Sequence, residues 1–448
     1  MSTEDLLAIG DRIVGMAGSG EQVEVVVGRS TSTEVRAYQG DVEQLATATT
    51  QGIGVRVIKG GRQGFAYAGS LDADVLNETL AEARDNATFA SEDEWLGLAE
   101  PDGVAVPALD LYRDDLAGVP TEAKIDLAIA LEKATRSADS RISGVESADY
   151  ADAVSEGAVV STTGIRSADR ATSCYVSTSC VASDADDTQT GFGFSVGRAP
   201  ADIDVEVAAA EAAERATRLL GATQPRSGRV TVVFDPYVTA QFLGIIGGTL
   251  SGEAVLKGRS LFADRLGDDV AAGSVTLVDD ATNPLAYSAS ETDGEGLASR
   301  RNVLIEGGRL SRFVHNAYTA RRAGTTSTAN AVRGYSSTPG VGCRALSLVP
   351  GTELQPALLR DVDEGILVTS VSGLHSGVNP VSGDFSTGAQ GVRISGGVPA
   401  EPLREFTIAS TLQKMLGDVA AVGADVAWLP MRAAGVSLVV HDLTMSGS

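Results

Sequence analysis

Lysine is almost missing from this chain of 448 residues: five (Lys59, Lys124, Lys133, Lys257, Lys414) stand against 30 arginines. Cysteine is as scarce, and three residues (Cys174, Cys180, Cys343) cannot build a disulfide framework at this length. Cys174 and Cys180 fall six apart in a strand-like run, on one face, without the short spacing or second pair of a metal site. They read as small core residues. The three histidines, His315, His375 and His441, lie far apart, so no local His-x-His or His-x-x-x-His zinc pair exists. Gly-Lys-Ser/Thr is missing too, which removes the P-loop. Gly340 to Ala345 fits a loose dinucleotide pattern, but it follows coil and precedes a strand, the wrong order.

No apolar run approaches the ~20 residues of a membrane span; "FLGIIGGTL" is the longest. Met1 to Gly20 carries Glu4, Asp5 and Asp11 with no basic start, so no secretory leader is expected. Positive charge is the last shortage. Thirty-five cations face 59 acids, for a net charge of −24. Nucleic acid and anionic membrane are therefore poor partners, and a cytoplasmic, reducing setting is expected. The excess acid fits either GC-rich coding or adaptation to high salt.

What is present is enough for sizeable cores: 43% of the residues are hydrophobic. Leu6, Leu7, Ile9, Ile13 and Val14 predict a first helix, capped by Ser2 or Thr3. Val23, Val25 and Val27 begin a strand, and residues 33–38 read as its return. Residues 52–70 predict a hairpin turning at Gly60-Gly61, and Ser70 is expected to cap the next helix. Residues 91–119 are aperiodic, and a helix follows from Thr121 to about Ser137. Residues 142–196 predict a meander of about four strands, broken at Glu156-Gly157, Thr163-Gly164 and residues 184–187. A helix from an Asp202 cap to Leu220 carries Glu211/Arg215 and Glu214/Arg218 at i,i+4 spacing. "VTVVF" (residues 230–234) reads as a buried strand after a Pro- and Gly-containing turn. These elements predict an α+β fold in two domains: residues 1–225 with helices on an antiparallel sheet, and residues 226–448 mainly antiparallel β with few helices.

Two later segments are more distinctive. Residues 291–324 hold an acidic Gly-rich turn, a hairpin through Gly307-Gly308 and a short helix with Arg321-Arg322. Residues 373–394, "GLHSGVNPVSGDFSTGAQGVRI", are rich in turn formers. That loop suits both the cradling of a peptide backbone and a demanding hairpin connection.

Together with "GIGVRVIKGGRQGFAYAGSLD" and "TANAVRG", these segments resemble the TldD/PmbA family, metalloprotease-related proteins of bacteria and archaea. "GVNPVSGDFSTGAQG" resembles its PmbA (TldE) branch in particular. The resemblance implies a His-Glu-x-x-x-His metal helix in the catalytic TldD-like subunits. Laid on residues 236–250 here, that motif puts the histidines at Leu243 and Gly248 and the glutamate at Gly244. No side chain there can bind metal or move a proton. A C-terminal cysteine found in many members is replaced by Ala433 and Ala434.

By resemblance, then, the chain is a non-catalytic partner with no catalytic or metal residue of its own. It would pair with a zinc-bearing TldD-like subunit in a heterodimer, or with itself, and act on unfolded peptides. His375, Asn379, Asp384 and Asp293 are the candidate peptide or partner cleft. Two alternatives remain: a metal-dependent peptidase with a relocated site on His375, Asp384 and His315, or a homodimeric regulatory protein, as the family's description as gyrase modulators suggests.

Overall fold

The computed structural model describes residues 2–448. The first half is one six-stranded, wholly antiparallel sheet, in the order β3-β2-β1-β4-β5-β6. Its strands are β1 (Gln22–Tyr38), β2 (Asp41–Lys59), β3 (Arg62–Ala68), β4 (Ile142–Ser161), β5 (Arg166–Asp184) and β6 (Asp187–Gly197). Several are far longer than the usual strand of about six residues. Residues 33–38 are therefore not a return strand; they continue β1, and β2 returns. Residues 142–197 likewise form three strands rather than four, because Glu156-Gly157 lies within β4. The tight turn at Gly60-Gly61 is as expected, with φ of +56° and +69°, which only glycine adopts freely.

Alternation of side chains then decides what each face meets. Val23, Val25 and Val27 point to one face, against α1 (Thr3–Val14) and α2 (Ala73–Phe89). Asp72, not Ser70, is the N-cap of α2. The one-turn helix α3 (Asp114–Ala117), then α4 (Thr121–Ala138) and α5 (Val205–Arg218), cover the far end of that same face through Leu116, Ala128, Leu131 and Ala208. Asp204 rather than Asp202 caps α5, and both predicted Glu–Arg pairs form on it. Cys174 and Cys180 are buried beneath these helices.

The second half is built on β7 (Gly228–Phe234), which pairs in parallel with Gly365–Ser372 and antiparallel with Leu438–Ser446. Strands Asp384–Ser395 and Val398–Thr411 continue the sheet, and the latter also pairs with Leu438–Ser446. Five strands thereby close into a ring. The predicted loop after residue 373 is shorter than its composition suggests, since its second half is strand from Asp384 onward. Inside the ring's main core, Val232 and Phe234 meet Ile366, Val368 and Phe406. Alternate residues Val233, Leu367 and Val439 face the helix Gln355–Val362.

Candidate functional site: a bare helix face and a charged junction

α6 (Pro236–Thr249) follows β7 directly. Asp235 caps it by accepting a hydrogen bond from the Tyr237 amide at 3.0 Å, and Pro236 occupies the first turn, where its missing N–H costs nothing. Val238, Phe242, Leu243 and Ile246 enter the main core, with the Phe242 ring edge-on to Phe385 at 6.3 Å. Gly247 also faces inward, toward Leu346 and Cys343. Gly244 and Gly248 are exposed, one turn apart, and a side chain at either would meet nothing within 4 Å. Leu243 thus points inward while Gly244 and Gly248 point out. Gly435, next to Ala433 and Ala434, packs against the Pro236 backbone, so the missing C-terminal cysteine and the altered helix are neighbours in space.

The other candidate residues separate into two places. His375 sits on the single helical turn Leu374–Gly377, exposed. The Asn379 carboxamide accepts the Val381 and Ser382 amides at 2.9 and 3.2 Å, and Asp384 accepts the Ser382 hydroxyl at 2.7 Å. These residues build an exposed, internally bonded loop. Asp293 lies elsewhere, buried, accepting the amides of Glu295, Leu297 and Ala331 at 2.9 to 3.0 Å. Burial pushes its carboxyl above the usual range. His315 is buried as well, its Nδ1 3.2 Å from the Thr319 hydroxyl, with burial lowering its basicity. His441 contacts Thr231 at the rim of the ring. Among the described residues, no group of three His, Cys, Asp or Glu side chains is placed to hold a metal.

Asp293 belongs to the junction between the two halves. The face of the first sheet that carries no helices meets residues 290–335 there. Glu24 and Arg56, opposite one another on β1 and β2, form a bidentate pair at 3.0 and 2.9 Å. Arg56 also reaches Glu295 at 3.3 Å, and Arg333 bonds Glu24 at 2.6 Å. All four side chains are at most 4% exposed. Burial alone raises a carboxyl, but the Arg333 and Arg56 guanidiniums outweigh it at Glu24 and hold that group low. At Glu295 burial prevails, helped by Glu24, and the carboxyl is raised. Beside this quartet the Tyr335 backbone lies so close to Gly54 that a Cβ would fall 2.0 Å from its carbonyl oxygen. The stretches "GIGVR", "DGEG" and "AVRGY" are therefore the two sides of one contact.

Family models described as the PmbA/TldA metallopeptidase domain 1, central domain and C-terminal domain match residues 23–87, 114–220 and 227–447. Fold and sequence together define a protein of metallopeptidase-related type. The chain belongs to the PmbA/TldD family. It is 26% identical to Metalloprotease PmbA of Escherichia coli O157:H7, over 92% of this chain and 89% of that one. It is 25% identical to a Metalloprotease TldD homolog of Buchnera aphidicola, over 84% and 79%. The fold matches that of TldE from Thermococcus kodakarensis with a TM-score of 0.90, at 23% identity and over all of both chains.

Sequence reasoning missed Glu24, Arg56, Glu295 and Arg333. A partial signal was there: Glu24 and Arg56 interrupt the short apolar runs 23–27 and 53–58, which are apolar at alternate and intervening positions alike.

Proposed function

We propose that this chain is a non-catalytic, TldE-like subunit of a TldD/TldE-type metalloprotease complex that degrades or trims unfolded peptides in the cytoplasm. The observation that carries the reading is the outer face of α6. Where the family resemblance asks for a base and a ligand, Gly244 and Gly248 present backbone only, and the remaining position, Leu243, is core. The donor set does not fit zinc, so the metal belongs to the TldD-like partner and no hydrolytic step is assigned here. Two bare positions one turn apart suit the close approach of a partner. The exposed loop carrying His375, Asn379 and Asp384 offers a second contact for partner or peptide. The names of the relatives support the class of activity.

A relocated metal site lacks support, because His315 is buried against Thr319 while His375 and Asp384 sit on an exposed loop. The test is reconstitution. Purified chain mixed with a cognate TldD-like subunit should co-elute with it and raise cleavage of an unfolded peptide, while the chain alone cleaves nothing. Absence of both complex and added cleavage defeats the reading.

A further inference from the structure

A cleft of about 510 Å³ opens beside the charged junction, within the size range of small-ligand sites. Its floor is the helix-free face of the first sheet. One row across four adjacent strands reads Gly52, Gly28, Gly157 and Asp169, each directly opposite the next. Directly opposite residues share a face, so three of the four positions are bare and the row is a trough. The Tyr335 ring covers its Gly52 end. At the other end stands the Asp169 carboxylate, the row's only side chain beyond a hydrogen.

That carboxylate has no partner from any other described residue. Arg344 and Glu291 act on it electrostatically in opposite directions, and neither forms a salt bridge or hydrogen bond with it. Arg344 is already committed to the Ala329 and Thr292 carbonyls and to the Ser290 and Ser299 hydroxyls. Two residues earlier on the same face of β5, the Ser167 hydroxyl is buried and likewise unpartnered, and it lines the same cleft. An unpaired buried hydroxyl is expensive, and natural structures rarely leave one without a role; Asp169 beside it is partly open to the cleft. Arg29, Glu156, Asp293, Arg333 and Arg432 complete the charged lining. With Arg333 paired to Glu24, three acids (Asp169, Asp293, Glu156) face three arginines (Arg29, Arg344, Arg432), so the unpaired Asp169 carboxylate at the end of the trough, rather than a net field, is what favours a cation.

We propose that this trough is a binding site for a protonated amine, whose N–H groups donate to the Asp169 carboxylate and the Ser167 hydroxyl. The amine is either the N-terminus of a short peptide or a small primary amine. The inference goes beyond the subunit reading and does not depend on it, because the site lies within the isolated chain.

Isothermal titration of the isolated chain at pH 7.5 with trialanine, N-acetyl-trialanine and n-propylamine tests it. Trialanine should bind and its acetylated form should not. Binding of n-propylamine as well assigns the site to amines in general; its failure assigns it to peptide N-termini. Asp169→Asn should weaken binding at least tenfold, and Ser167→Ala several-fold, with circular dichroism unchanged in both. The inference is overturned if no amine binds at millimolar concentration, if the acetylated peptide binds equally well, or if both variants bind as the natural chain does.

Discussion

Asp169 has a stability consequence as well as a binding one. Burial pushes its carboxyl up to about 6 from an ordinary 3.8. A raised acid favours the folded state when protonated, so the penalty is absent below about pH 4 and complete above about pH 6. The shift corresponds to about 3 kcal/mol, reduced to about 1–2 by water in the cleft. Asp169→Asn should therefore stabilise the chain by about 1–2 kcal/mol at pH 8, and the difference should vanish near pH 4 in paired urea titrations. Arg56 behaves oppositely. Removing it leaves Glu295 without a cation and Glu24 with Arg333 alone, inside a junction almost closed to water. Arg56→Ala should cost about 3–5 kcal/mol, read as a lower urea midpoint. A loss below about 1 kcal/mol would show the quartet to be solvated.

Among the elements, α6 separates its packing role from its outer surface. Glycine in the interior of an exposed helix costs about 1 kcal/mol relative to alanine, and Gly244 and Gly248 have open space around them. The double change Gly244→Ala/Gly248→Ala should stabilise the isolated chain by about 1–2 kcal/mol in thermal denaturation. A bulkier Gly244→Trp should leave folding intact and lower affinity for a TldD-like subunit in a pull-down. Equal affinity would remove this face from the interface. The helices were legible because their apolar spacing and caps are local, although Ser70 and Asp202 each misplaced a start by two residues. Strand count was less legible, because Gly157 resembles a turn when it is the floor of a trough within β4. The buried quartet was illegible for a further reason: Arg56 and Glu295 are 239 residues apart, and no local pattern links them. Asp293 was visible as an unusual acid, but its work is to bind backbone amides.

Over the whole molecule, a net charge of −24 repels itself, and salt screens that repulsion. Raising sodium chloride from about 20 to about 500 mM should raise the melting temperature, because a Debye length falling from ~20 to ~4 Å uncouples distant surface charges. A falling melting temperature would mean that the arginine ion pairs outweigh the repulsion. Among the described residues, no helix is long and apolar enough to cross a membrane.

The ring of the second half sets an order of events during synthesis. Leu438–Ser446 lies between β7 and Val398–Thr411, so the ring cannot close until residue 446 has left the ribosome. The first sheet is complete by Gly197, some 250 residues earlier. In that interval Glu24 and Arg56 are wetted, and the trough ending at Asp169 has no roof. A nascent chain would thus display its helix-free sheet face to chaperones throughout the emergence of its second half. Ribosome-bound chains halted near residue 400 should be cleaved readily by protease beyond residue 228 while the sheet up to Gly197 resists.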